Sequence, residues 1–133
     1  MIVGVADTHC VVWYLENDSR LSTPARGFFE QTALGGDEIG VSSISLVEII
    51  YLIEKHKIAS ESLTRLATGL TDSQSILVEI PLNLSIARTL SRVDSAQIPD
   101  MPDRIIAATA LHLSVPLISR DGRIRMSAIQ TIW

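Results

Sequence analysis

Short apolar runs alternate with helical segments along the whole chain, and this alternation limits the folds available to it. The strand-like runs are residues 2–6, 39–41, 75–80, 115–119 and 129–133. Helices are predicted at 8–16, 21–33, 43–55, 60–70, 83–93 and 102–113, several of them beginning at a Ser, Thr or Asn cap or behind a proline. Strands separated by helices are typical of a parallel sheet covered on both faces. The pattern predicts a three-layer α/β/α sandwich with a mainly parallel sheet of four or five strands.

The size and composition of the chain narrow its class. Its 133 residues suffice for a single domain, 1–133, and leave no room for a second. No apolar run approaches the roughly 20 residues that span a bilayer, and no basic segment precedes the first apolar run. The single cysteine, Cys10, excludes an internal disulfide bond. We therefore expect a cytoplasmic protein that works in a reducing compartment.

Four acidic residues stand where an acid calls for an explanation. Asp7 ends the first apolar run, and Asp121 follows the fourth. Glu48 is the only charged residue within the apolar segment 44–53, and Asp103 opens a helix directly behind a proline. Right-handed crossovers place the carboxyl ends of parallel strands at one edge of the sheet. If the strand order reverses between the first and fourth strands, all four acids face the crevice at that edge.

Each of these acids also has an ordinary structural explanation. Asp7, Asp121 and the segment 100–103 can cap helices or form turns. An ion pair between Glu48 and Arg104 would compensate the burial of a carboxylate. Clustered carboxylates, in contrast, repel one another unless a cation neutralises them, and ligand sets made only of oxygen favour Mg²⁺ or Mn²⁺ over zinc. Such a site suits the hydrolysis of a phosphodiester by metal-activated water.

The basic residues and histidines indicate a function less clearly than the acidic residues do. A net charge of −4 argues against a broad basic surface for nucleic acid. Arginines near the acids, such as Arg104 and Arg120, either bind phosphate, pair with carboxylates or remain solvated. The three histidines, His9, His56 and His112, lack the spacing of metal ligands. We predict that they are packing or surface residues.

Four ordered blocks of the chain resemble the PIN-domain family. The first is Ala6-Asp7-Thr8-His9 followed by Val11-Val12-Trp13, and the others are residues 42–49, 99–110 and 117–121. The resemblance covers essentially the whole chain and is greatest to VapC toxins of toxin–antitoxin pairs. It implies a Mg²⁺- or Mn²⁺-dependent endoribonuclease that acts on RNA, is held inactive by a VapB-type antitoxin and forms a homodimer.

The resemblance also implies roles for individual residues. The four acids would carry catalysis and bind the metal, with one of them acting through water, and Asp100 is an extra acid without an assigned role. Any contact with DNA is expected only through the antitoxin. The implied catalytic and metal-binding residues are Asp7, Glu48, Asp103 and Asp121, of which Asp121 is the one expected to act through water. The expected substrate-binding residues are Arg104, Arg120 and Ser119.

Other functions make different demands on the sequence. A phosphoacceptor signalling domain needs a lysine late in the chain, whereas both lysines precede residue 58. A phosphatase with an aspartate nucleophile needs a second Asp where His9 stands. A metal- or RNA-binding module without turnover remains the non-enzymatic alternative. The apolar segments 44–53 and 8–16 are each predicted either to be buried within the domain or to contact a partner, as in a homodimer that also binds an antitoxin peptide.

Overall fold

The computed structural model describes residues 1–133, in which seven α-helices surround a five-stranded sheet. The strands are β1 (Ile2–Ala6), β2 (Glu38–Ser42), β3 (Leu77–Ile80), β4 (Leu117–Ile118) and β5 (Thr131–Ile132). The helices are α1 (Thr8–Leu15), α2 (Thr23–Leu34), α3 (Ser43–Glu54), α4 (Glu61–Thr71), α5 (Leu84–Thr89), α6 (Met101–Leu113) and α7 (Gly122–Arg125). No helix is both long enough and apolar enough to cross a membrane.

The sheet is parallel throughout and has the strand order β3-β2-β1-β4-β5. The chain builds outward from β1 through β2 to β3, then returns to add β4 on the other side of β1. Val5 and Ala6 of β1 lie opposite Leu117 and Ile118 of β4. The order therefore reverses between these two strands, as predicted, and their carboxyl ends open onto one crevice.

Helices cover both faces of the sheet. Successive side chains of a strand point to opposite sides, so neighbouring residues of one strand belong to different cores. Ala6 and Ile118 belong to the core packed against α1, α2 and α4. Val5 and Leu117 belong to a second core, packed against α5, α6 and α7. The predicted three-layer α/β/α sandwich is confirmed.

The edges of several elements differ from the prediction. The predicted strands 115–119 and 129–133 pair with each other over only two residues, in β4 and β5. The predicted helix 83–93 consists of α5 followed by a single 3-10 turn, Leu90–Arg92. Apolar periodicity does not predict the exact ends of strands or a change from α-helix to 3-10 helix, because it indicates which residues are buried and not which backbone groups form hydrogen bonds.

The two apolar segments expected to be buried or to meet a partner behave differently. In α1, Val11 and Trp13 are buried in the core of the protein itself. In α3, Ile49 is buried, but Val47 and Tyr51 keep 59% and 57% of their surface exposed. Only α3 therefore presents an apolar face to the outside.

Candidate active site

A cavity of about 370 Å³ opens where β1 and β4 end, and acidic side chains dominate its wall. All four predicted acids line it, and a fifth carboxylate joins them. Only one of the nine lining residues is hydrophobic, and only one is an arginine. The lining residues are Asp7, Thr8, His9, Trp13, Glu48, Asp100, Asp103, Arg120 and Asp121.

Three of the five acids cap helices at the same time as they line the cavity. Asp7 caps α1, Asp100 caps α6 and Asp121 caps α7. Each accepts hydrogen bonds of 2.9–3.1 Å from backbone N–H groups in the first turn of its helix. The ordinary explanation and the site are therefore compatible, since a capping aspartate is held in place by the start of its helix.

Glu48 reaches the cavity from the second turn of α3. Its Oε1 accepts a hydrogen bond of 2.5 Å from Thr8 Oγ1, which also lies 2.9 Å from Ser45 Oγ. Burial raises the pKa of Glu48, the hydrogen bond from Thr8 opposes that rise, and the negative charge of Asp100 adds to it. The partner of Glu48 is thus a threonine hydroxyl and not Arg104, the partner considered from the sequence.

Asp103 lies in the first turn of α6 and is the most perturbed acid of the cavity. Burial and, after it, the negative charges of the other four carboxylates, first among them Asp100, together raise its pKa to about 7. At neutral pH without a cation, a sizeable fraction of this carboxyl group is therefore protonated. The carboxylates are near enough to oppose one another's ionisation.

The chemistry of the donors fits a hard divalent cation. No three His, Cys, Asp or Glu side chains stand close enough to form a complete ligand group. Mg²⁺, however, usually binds through one or two carboxylates and keeps several of its water molecules. The cavity offers mainly carboxylate oxygens. The pKa of Asp103 is raised first by burial and then by the neighbouring negative charges, and a bound cation would offset both effects.

Arg120 is the one arginine in the cavity wall. Its guanidinium carbon lies 4.9 Å from the ring centroid of Trp13, and Arg20 approaches the same ring at 5.3 Å. Arg120 belongs to none of the ion pairs of the protein, although five carboxylates line the same cavity. Its donors are therefore free to contact an anionic ligand.

The other two residues expected to bind substrate do not line the cavity. Nη2 of Arg104 donates to the backbone carbonyls of Leu90 and Val93 at 3.1 and 3.0 Å, so this arginine bridges the start of the 3-10 turn and the residue that follows it. Ser119 is fully buried, and its Oγ accepts a hydrogen bond of 3.1 Å from the backbone N–H of Asp121. Both residues support the segments that carry the acids.

Sequence reasoning did not single out His9, whose exposed ring lines the cavity. The signal was present: Trp13 stands four residues further on, and residues at that spacing lie on the same face of a helix. The two rings are 5.7 Å apart between centroids and tilted by 46°. Of the two roles predicted for His9, packing or surface, it is a surface residue, and that surface belongs to the candidate site.

One family model matches the chain, and a ribonuclease and several solved structures are similar to it. Residues 5–129 match the family described as the PIN domain. Ribonuclease VapC22 of Mycobacterium tuberculosis is 29% identical over 129 residues, which cover 94% of this chain and 92% of that protein. A VapBC2 structure from Rickettsia felis, bound to a DNA fragment from its promoter, has a TM-score of 0.70 at 17% identity, covering 98% and 97% of the two chains. A DNA-bound VapBC structure from Salmonella typhimurium has a TM-score of 0.68 at 18% identity, with coverage of 98% and 97%.

Proposed function

This chain belongs to the PIN-domain family, and on that premise we propose that it is a Mg²⁺- or Mn²⁺-dependent endoribonuclease, the toxin of a VapBC-type pair. The observation that carries the proposal is the group of five carboxylates around one cavity at the reversal point of the sheet. The likeness to Ribonuclease VapC22 over nearly the whole chain supports RNA as the substrate.

The residues of the cavity have different proposed roles. Asp7 and Asp103 would bind the cation directly, Glu48 would lie beside them as a further carboxylate of the site, and Asp121 would act through water. The bound cation would supply positive charge at the phosphodiester and lower the pKa of water. Arg120, free of ion pairs in the cavity wall, would bind a non-bridging phosphate oxygen.

We expect RNA cleavage that depends on a divalent cation. The purified protein would be incubated with a panel of structured and single-stranded RNAs in Mg²⁺ or Mn²⁺, and the same reactions would be repeated with EDTA. Cleavage should stop in EDTA and return when the cation is restored in excess. Activity that survives EDTA would contradict the metal site, and RNA binding without any cleavage would favour the module without turnover.

Two associations are proposed, a homodimer through the exposed face of α3 and the binding of an antitoxin segment that reaches the acidic cavity. Val47, Ile50 and Tyr51 are spaced for one side of this helix and remain 46–59% exposed. The similar structures from Rickettsia felis and Salmonella typhimurium are VapBC complexes. We propose that this face forms a homodimer and that an antitoxin segment places a basic side chain in the acidic cavity, where it competes with the metal.

Light scattering at high protein concentration tests the dimer. The wild type should have the mass of a dimer, and Ile50→Glu should be monomeric because a charge would be buried at the interface. Leu34→Glu is a matched control, since Leu34 is 88% exposed at the end of α2 and should leave the mass unchanged. The product of the adjacent reading frame should increase the mass and block cleavage. A wild type that stays monomeric, with no change in mass on adding that product, would rule out both associations.

A further inference from the structure

A second groove adjoins the acidic cavity and shares two residues of its wall. Its volume is about 310 Å³, and His9 and Trp13 line both spaces. Val12, Leu52 and Ile58 give the groove an apolar floor, which the acidic cavity lacks. The two spaces are therefore contiguous but chemically distinct.

The sign of the charge also changes between the two spaces. Five carboxylates and one arginine line the cavity, whereas Arg20 and Lys57 line the groove together with a single acid, Glu16. That acid is already engaged, because its Oε1 accepts from Ser62 at 2.7 Å and pairs with Arg65 at 3.3 Å. Arg20 is engaged as well, because its Nη2 pairs with Asp18 at 2.7 Å, so Lys57 is the cation of the groove that belongs to no ion pair. The groove has no unpaired acid and is therefore the more favourable of the two spaces for a phosphate that no metal neutralises.

His9 forms the boundary between the two spaces. One side of its ring packs near Trp13, which is itself only 4% exposed and lies beside two guanidinium groups. The imidazole is therefore supported from within, while the residue remains exposed. Histidine is among the side chains on which unstacked RNA bases stack.

We propose that this groove binds the nucleotide next to the cleaved phosphodiester, so that the protein recognises a single-stranded segment of RNA. The base stacks on His9 and contacts the floor formed by Val12, Leu52 and Ile58, and Lys57 contacts the adjoining phosphate. The inference rests on the proposed ribonuclease function, because it takes the acidic cavity as the place of the cleaved phosphate. Charge and continuity favour RNA as the occupant, because a strand held at the acids can continue past His9 into the groove.

Abasic substitution tests the proposed stacking directly. A short single-stranded RNA that the wild type cleaves would be prepared with one base removed at successive positions around the cut. At one flanking position, the missing base should lower kcat/KM by about tenfold, the scale of one stacked base, mainly by raising KM. His9→Ala should show the same loss on intact RNA and no further loss on the abasic RNA, and His9→Phe should restore most of the activity.

Two further variants separate recognition from folding. Lys57→Gln is a change at an exposed side chain and should raise KM and weaken the salt dependence of binding. His112→Ala, in the last turn of α6 and outside both spaces, should behave as the wild type. Equal cleavage of intact and abasic RNAs by the wild type, or losses from His9→Ala and the abasic site that multiply, would overturn the proposal.

Binding by Asp103→Asn keeps this test distinct from that of the proposed function. Fluorescence anisotropy with the same intact and abasic RNAs measures recognition without cleavage. If the wild type cleaves no RNA but binding requires the flanking base and His9, the proposed ribonuclease function is wrong and the groove proposal is supported. If binding requires neither, the groove proposal fails. If the groove variants change only the affinity for the antitoxin, its occupant is a peptide and the RNA proposal is also overturned.

Discussion

Asp103→Asn is expected to lower the rate of RNA cleavage by about 100-fold or more while leaving the protein folded. The substitution removes a charge that would help to hold the cation, and with it the electrostatic stabilisation of the transition state. It preserves the shape of the side chain and the start of α6, because the cap of that helix is Asp100. The measurement is a single-turnover rate in saturating Mg²⁺ and again in Mn²⁺.

The same substitution is expected to raise the melting temperature of the metal-free protein at pH 8. The folded-state pKa of Asp103 is about 7, above its ordinary value of 3.8, so the unfolded chain loses this proton first as the pH rises. Between those two values the folded state binds more protons than the unfolded state, and the stability of the wild type falls as the pH increases. Asn cannot ionise, so the difference between variant and wild type should be small near pH 4 and grow up to about pH 7.

Glu79→Gln is the control for both measurements, since Glu79 is an exposed acid on the edge strand β3 and does not line the cavity. Its rate and its melting temperature should match those of the wild type. An Asp103→Asn protein that melts lower than the wild type at pH 8 without metal would assign Asp103 a structural role. Cleavage at the rate of the wild type would remove it from the catalytic set.

Arg104→Ala is expected to destabilise the protein by about 2–3 kcal/mol, because hydrogen bonds to a charged group contribute about this much and two carbonyls lose their donor. Those carbonyls belong to Leu90, the first residue of the 3-10 turn, and Val93, which directly follows the turn and begins the segment leading to Asp100. The Nε of Arg104 is buried without a partner, which places the loss at the lower end of that range. Urea denaturation measures the change.

Arg123→Ala provides the matched control for this prediction. Arg123 is exposed on α7 and belongs to no ion pair, so its removal should change the stability by less than about 0.5 kcal/mol. The folded fraction of Arg104→Ala should retain an unchanged KM for RNA, because the guanidinium does not line the cavity. A raised KM with unchanged stability would instead support the substrate-binding role expected from the sequence.

The parallel sheet could be predicted because its signals are local. Asp7 directly follows a buried run, and a run of similar character precedes Asp121, so strand ends and crossover handedness alone bring the two residues to one edge. The exposed face of α3 was left open between burial and a partner, since an apolar helix pattern does not say which of its sides the sheet covers. The contacts of Ile49 and the exposure of Val47 decide that question.

Other features depend on pairings that the sequence does not encode locally. Arg104 stands beside an acid in the chain, but its guanidinium reaches carbonyls 11 and 14 residues away. The partner of Glu48 is Thr8, which lies 40 residues away, and a threonine carries no signature of such a contact. Asp100 is the neighbouring charge that most raises the pKa of both Glu48 and Asp103. The sequence predicts Asp100 as a helix cap but does not show that it lies among these carboxylates.

The three capping aspartates have a consequence for how the site becomes organised. Since each carboxylate is aimed by the first turn of its helix, the site acquires its shape when the helices form and before any ligand arrives. Little conformational entropy is then lost at these three side chains on binding. The rate of ligand binding should therefore depend on the concentration and charge of the ligand and should not be limited by a slow rearrangement of these three residues.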